Sequence, residues 1–188
     1  MALGQFTPII VKEILSQYPK VILKKAKNIK AIFFDVDGVL TDGKLMYTDN
    51  GLEIKSFNVK DGQIVAHLKK AGLLLGAISG RESGSVSRRC AELKLDFCHQ
   101  GIVDKAEVFN KLMDHHKIKS RQVVYIGDDI NDLGVFKLAG FCVCPSDAPA
   151  YIKSKADLIT FARGGEGVLR EVGDLILAVN GALTKIAK

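Results

Sequence analysis

From residue 29 to residue 143 the chain alternates short apolar runs with longer stretches in which apolar residues recur every three or four positions. The runs predict strands over residues 32–35, 73–79, 96–99, 123–127 and 141–143, and the periodic stretches predict helices over 63–71, 83–93, 105–116 and 132–138. The first run, Ala31-Ile32-Phe33-Phe34, has no polar alternation, so it reads as a strand covered on both faces. Strands separated by helices build βαβ units. The expected fold class is therefore α/β, a doubly wound, Rossmann-like parallel sheet.

Two intervals break this rhythm. Over residues 8–25, Ile9, Ile10, Ile14, Leu15, Val21 and Ile22 lie among polar residues, which predicts an amphipathic helix interrupted near Pro19. Residues 1–28 are accordingly expected to be an N-terminal helical extension and residues 29–188 the main domain. Residues 44–57 hold two strand-like runs around Asn50-Gly51, a turn signal, and predict a β-hairpin projecting after the first strand. A lone hairpin is marginal in water, so this one is expected to pack against something, most simply the same hairpin of a neighbouring subunit. Before the helix that begins near Val168, the glycines of Arg163-Gly164-Gly165-Glu166-Gly167 read as a flexible lead or as plain loop.

At 188 residues, with 47% hydrophobic and 26% charged residues, the chain has the size and balance of one well-cored globular domain. It contains no apolar run long enough for a membrane span and no basic-then-apolar leader. The four cysteines, Cys90, Cys98, Cys142 and Cys144, lack metal-type spacing, and His67, His99, His115 and His116 lack carboxylate or cysteine partners at such spacing. A cytoplasmic protein without a membrane partner is expected. Lys and Arg number 27 against 21 Asp and Glu, a net charge of +6 that favours anionic ligands. Lys24, Lys25, Lys27 and Lys30 cluster ahead of the first strand without the interleaved aromatics that stack bases. No nucleic-acid partner is expected; the cluster is a solvated basic face or a contact for an acidic partner.

The chemistry concentrates where strands end. Asp35 and Asp37 stand two apart at the exit of the first strand and so face one small volume, with Gly38 free to turn beyond them. Carboxylates that close resist ionising together unless a cation, a hydrogen-bond network or a shared proton relieves them. The second strand ends in Ser79-Gly80-Arg81, a hydroxyl, exposed amides and a guanidinium suited to phosphate. The fourth ends in Asp128-Asp129-Ile130-Asn131-Asp132, whose oxygens suit Mg²⁺, although such a turn also caps a helix. Lys105 opens a helix, where the dipole disfavours a cation.

In this order, Asp35 and Asp37, then Ser79, Lys105 and Asp128 to Asp132 resemble the four motifs of the haloacid dehalogenase superfamily of phosphohydrolases. The resemblance implies Asp35 as nucleophile, Asp37 as general acid and base, and Ser79 and Lys105 as phosphate holders. It also implies Mg²⁺ on Asp35, Asp128 and the backbone carbonyl of Asp37, with Asp129, Asn131 and Asp132 completing or orienting the metal shell. The intervals from Asp37 to Ser79 and from Ser79 to Lys105 leave no room for a cap domain. Asp35 to Gly43, Phe57-Asn58-Val59-Lys60-Asp61-Gly62, Ser79-Gly80-Arg81 and Arg163 to Gly167 are similar to the capless tetrameric 3-deoxy-D-manno-octulosonate 8-phosphate phosphatases. That family implies a homotetramer assembled through the hairpins, a role in lipopolysaccharide precursor synthesis, and a Gly164-Gly165 segment that closes over a neighbour's site. It further implies a small anionic sugar-phosphate substrate met by Lys60, Arg81 and Arg163. Phosphatases of nine-carbon sialic-acid-type 9-phosphates share nearly the same motifs and are the alternative. A receiver-like phospho-acceptor signalling domain fits less well, since its acceptor comes from a later strand.

Overall fold

The computed structural model describes residues 8–183. Its centre is a six-stranded, wholly parallel sheet in the order β5-β4-β1-β6-β7-β8. The strands are β1 (Ala31–Phe34), β4 (Leu74–Ile78), β5 (Phe97–His99), β6 (Val123–Ile126), β7 (Phe141–Cys144) and β8 (Leu158–Ile159). Every residue of β1, β6 and β7 is buried. Helices α3 (Val59–Lys70), α4 (Gly84–Glu92), α5 (Lys105–His116), α6 (Leu133–Phe136), α7 (Ala150–Lys153) and α8 (Val168–Val179) cover both faces. The order reverses at β1: β4 and β5 extend to one side and β6 to β8 to the other, which makes the carboxyl ends of β1 and β6 the switch point of the sheet.

The two-residue period of β1 sorts its side chains between two cores. Ile32 and Phe34 join Ile64, Val65 and Leu68 of α3 and Val172 and Ile176 of α8. Ala31 and Phe33 join Phe109 and Met113 of α5 and Phe136 of α6. The N-terminal segment forms α1 (Pro8–Ser16) and α2 (Lys20–Ala26), separated at Pro19, which serves as the N-cap of α2. Tyr18, Ile22 and Ala26 are buried in the first of these cores, and the Tyr18 hydroxyl donates to Glu171 of α8 at 3.3 Å.

The expected elements are present with small boundary changes, and α3 starts four residues earlier than the apolar period indicates. The Asn58 side chain accepts from the Lys60 amide at 2.9 Å and nucleates that extra turn. β8 and α7 were not foreseen. The hairpin is real but short: β2 (Met46–Tyr47) pairs antiparallel with β3 (Glu53–Ile54), joined by the Thr48–Gly51 turn. Among the described residues no further domain stands over the carboxyl ends of the strands.

Candidate active site

The β1–β6 ladder runs one residue past the strand, because the Asp35 amide donates to the Ile126 carbonyl at 2.9 Å. Asp35 is thereby set beside the loop that follows β6. Gly38, with φ +80°, turns the chain so tightly that a Cβ on it would lie 1.9 Å from Oδ2 of Asp128. Only glycine permits that approach.

Asp35 is buried, with Oδ1 accepting from the Val36 amide at 2.6 Å and Oδ2 from Lys105 Nζ at 2.5 Å. Lys105 begins α5, which Asp104 caps by accepting from the Glu107 amide, and its buried ammonium also donates to Asp132 Oδ1 at 2.8 Å. The dipole mismatch expected for a lysine at this position is therefore answered by two carboxylates. Asp132 is the strut of the acidic loop. Its Oδ1 accepts in addition from the Tyr125 hydroxyl at 2.7 Å, and its Oδ2 accepts from the amides of Asp128 at 2.9 Å and Asp129 at 3.2 Å. Asp128 Oδ1, by contrast, is buried with no hydrogen-bond partner.

Oxygens of Asp35, Asp128 and Asp132 lie within 4.8 Å of one another. Three carboxylates against the single ammonium of Lys105 leave two negative charges uncompensated. The consequences agree among themselves: burial, then Asp132, raises the Asp35 carboxyl in spite of Lys105. Burial, then Asp35, Asp132 and Asp129, pushes Asp128 up to about 8. Burial works to lower Lys105, but Asp35 and Asp132 outweigh it and hold the ammonium above its ordinary value. A hard divalent cation with oxygen ligands supplies the missing charge, and Mg²⁺ fits this donor set with Asp128 Oδ1 open to it.

Asp37 stands outside the cluster. Its Oδ1 accepts from Lys55 Nζ at 2.5 Å and from the Thr41 hydroxyl at 3.3 Å, while its buried Oδ2 faces Arg81 Nε at 3.7 Å, beyond hydrogen-bond distance. Lys55 Nζ also lies 2.8 Å from Glu53, whose carboxylate Arg81 approaches at 3.5 Å. Sequence reasoning overlooked Lys55 and Glu53. The signal was their spacing, since residues two apart in a strand-like run share one face of the hairpin. Ser79 is buried at the end of β4, and its hydroxyl oxygen accepts from the Arg81 amide at 3.4 Å. Asp129 and Asn131 are exposed and not drawn into the cluster: Asp129 instead accepts from the Ile130 amide at 2.7 Å and the Tyr151 hydroxyl at 3.3 Å.

Residues 95–172 match the model of the haloacid dehalogenase-like hydrolases. Over 158 residues the chain is 40% identical to the 3-deoxy-D-manno-octulosonate 8-phosphate phosphatase KdsC of Haemophilus influenzae, covering 84% of this chain and 88% of that one. The chain belongs to the 3-deoxy-D-manno-octulosonate 8-phosphate phosphatase family. The Escherichia coli K12 member is 37% identical over 86% of each chain. The crystal structure of the Moraxella catarrhalis family member, in complex with magnesium, phosphate and the sugar acid, superposes with a TM-score of 0.87 at 37% identity, over 90% of this chain and 97% of that one.

The other residues that this family led us to expect around the substrate sit at the same end of the sheet but in different surroundings. Arg81 reaches the Asp37 side of the site, as described. Lys60, in the first turn of α3, is exposed, and a Cβ on Gly167 would lie 3.8 Å from its Cδ. Arg163 is exposed and lies 3.6 Å from Asp147. Gly164 and Gly165 are packed on their own chain's first loop: a Cβ on Gly164 would fall 2.2 Å from the Gly38 carbonyl oxygen, and the Gly165 amide donates to Val39 at 3.0 Å. The side chain of Glu171 holds the preceding backbone in place by accepting from the amides of Phe161 and Ala162.

Proposed function

We propose that the chain is a Mg²⁺-dependent phosphomonoesterase that hydrolyses 3-deoxy-D-manno-octulosonate 8-phosphate to the free sugar acid and inorganic phosphate. One observation carries the reading: Asp35 and Asp37 share a strand exit but not an environment. Asp35 lies with Lys105 inside the Asp128–Asp132 cluster, and Asp37 lies outside it on Lys55. Two carboxylates in separate environments take separate roles.

Phosphate monoesters are among the slowest substrates unaided, with enzymatic accelerations reaching ~10²¹-fold, so the attack must be made intramolecular. Asp35 attacks phosphorus, and the bond to the leaving sugar oxygen breaks as Asp37 gives that oxygen a proton. Asp37 then takes a proton from the water that attacks the aspartyl-phosphate, and Asp35 is released with inorganic phosphate. Ser79 and Lys105 hold the phosphoryl oxygens through donors already fixed in place, so no reorganisation is needed as charge develops. Asp35, Asp128 and the backbone carbonyl of Asp37 would hold Mg²⁺, which when bound neutralises charge on the phosphoryl group. Asp132 keeps the loop of Asp128 in shape.

The substrate's carboxylate calls for cations beside the phosphate site; Arg81, 3.7 Å from Asp37, is one candidate, and Lys60, Arg163 and the Gly164-Gly165 segment are the others. Without a cap, enclosure comes from a second copy in a homotetramer. The exposed apolar side chains of the hairpin support that assembly. Residues 29–188 are assigned to the phosphatase domain and residues 1–28 to an extension, whose helices α1 and α2 pack on α8. The enzyme works in the cytoplasm, which its four free cysteines fit, and no described helix is long and apolar enough to cross a membrane.

The deciding experiment compares kcat/KM for eight-carbon and nine-carbon ulosonate phosphates and for simple sugar phosphates. The eight-carbon substrate is expected to lead; preference for the nine-carbon one assigns the alternative, and preference for a simple sugar phosphate overturns the reading. Asp35→Asn, or excess chelator, is expected to abolish phosphate release.

A further inference from the structure

The lysine cluster noted in the sequence has no part in the phosphatase chemistry. Lys24, Lys25, Lys27 and Lys30 are joined by Arg121 around a cavity of about 870 Å³ at the amino-terminal ends of β1, β6 and β7. The carboxylate site lies at the opposite end of the same strands. Arg121 belongs to the turn that leads into β6, and Lys30 is fixed beside it because its amide donates to the Gln122 carbonyl at 2.7 Å. Of the five cations, Lys25 is matched by Asp157 at 2.6 Å, and the other four make no ion pair among the described residues.

Part of this charge has a structural purpose. Lys24 and Lys25 sit in the last turn of α2, where a cation favours the helix dipole. Each helix end, however, carries only about half a charge, and the ends of α2 and of α8, at Asn180, together offset about one. Lys24, Lys27, Lys30 and Arg121 contribute four. These four side chains are exposed, and their surplus of positive charge suits a ligand with several negative ones.

The cavity's size and lining narrow the choice. Pockets for small molecules hold roughly 300–1,000 Å³, which brackets this one. Val21 offers apolar surface, and Asn28, Gln122 and Asn180 offer amides, as a ligand with an organic body beside its phosphates requires. Among the described residues no aromatic side chain lines the cavity, which argues against the stacking platform that single-stranded nucleic acid uses. We propose that this cavity binds the polyphosphate chain of a small molecule of nucleotide size, at a site separate from the phosphatase centre.

Calorimetric titration of the full chain with adenosine triphosphate at physiological salt tests this, alongside inorganic triphosphate, adenosine and a single-stranded oligonucleotide. One molecule of the triphosphate per chain is expected to bind, with adenosine alone silent. Lys30→Ala/Arg121→Ala and, separately, Lys24→Ala/Lys27→Ala are expected to weaken binding about tenfold or more. Both variants should keep the parent rate of phosphate release from the sugar phosphate, which also reports that they are folded. Unchanged affinity in both variants, or no binding at physiological salt, overturns the proposal. So does tighter binding of the oligonucleotide than of the triphosphate, with stoichiometry set by its length.

Discussion

A carboxylate that must give up a proton and then recover one needs a fixed position and a partner that leaves one oxygen open. Asp37 has both, with Oδ1 on Lys55 and Thr41 and Oδ2 unpartnered and directed toward Arg81. Hydrogen bonds to charged groups contribute about 1.5–3 kcal/mol. Lys55→Met is therefore expected to lower kcat/KM by about 10–100-fold with the fold intact, and Lys55→Arg to restore part of it. A Lys55→Met enzyme with full activity would remove the side chain from the site. Gly38→Ala carries a different expectation, because its methyl would collide with the Asp128 carboxylate. Displacing a metal-facing group typically costs 10–100-fold in metal affinity. Titrating phosphate release against Mg²⁺ should show the half-activation concentration rising at least tenfold. Asp35, Lys105 and Asp128 were legible beforehand because each stands at a strand exit or helix start that hydrophobic periodicity locates. For Lys55 the spacing from Glu53 places both on one face of the hairpin, but nothing local in the sequence says toward what that face folds back.

At the level of elements, α3 and α8 are tied where each begins. The Asp61 carboxylate, in the first turn of α3, accepts from the Arg170 amide in the first turn of α8 at 2.8 Å, and its other oxygen is buried without a partner. The bond holds the N-terminus of α8 in place just after Gly164 and Gly165, which pack on the loop of residues 38–42. Burial, opposed by the Arg170 amide and by Arg89, pushes Asp61 up to about 6 from its ordinary 3.8. A carboxyl raised on folding contributes stability that is complete below its unfolded pKa and is lost as pH rises through the folded one. The parent's stability relative to Asp61→Asn should thus fall between pH 4 and pH 7, by about 1–3 kcal/mol at 1.36 kcal/mol per unit. Urea unfolding of both proteins at the two pH values measures it, and a constant difference would refute the assignment. The start of α3 was misread in the sequence because Gly62 weakens the helical pattern, whereas the Asn58 cap and the contact with α8 decide the matter. β8 is two residues long and exists by pairing with β7, a tertiary cause that no periodicity in so short a run can display.

For the whole molecule, the parallel sheet concentrates chemistry at the switch point between β1 and β6, and the hairpin reaches its Asp37 side from outside the sheet. Its two faces serve different ends. Glu53 and Lys55 turn toward Asp37 and Arg81, while Met46 and Ile54, paired across the strands, and Leu52 beside them are 46%, 47% and 64% exposed. Two strands of two residues cannot stabilise themselves, and a cluster of exposed apolar side chains on a projecting element marks a contact surface. If that surface assembles a homotetramer, as proposed, replacing Met46, Leu52 and Ile54 by Ser should leave Lys55 in place yet produce smaller species by sedimentation velocity. The rate of phosphate release should fall as well, because each open site would lose the neighbour that encloses it. An assembly unchanged by the triple substitution would remove the hairpin from that role. Smaller species with undiminished activity would show that Lys55 and Arg81 of one chain suffice, and that enclosure by a neighbour contributes nothing to catalysis.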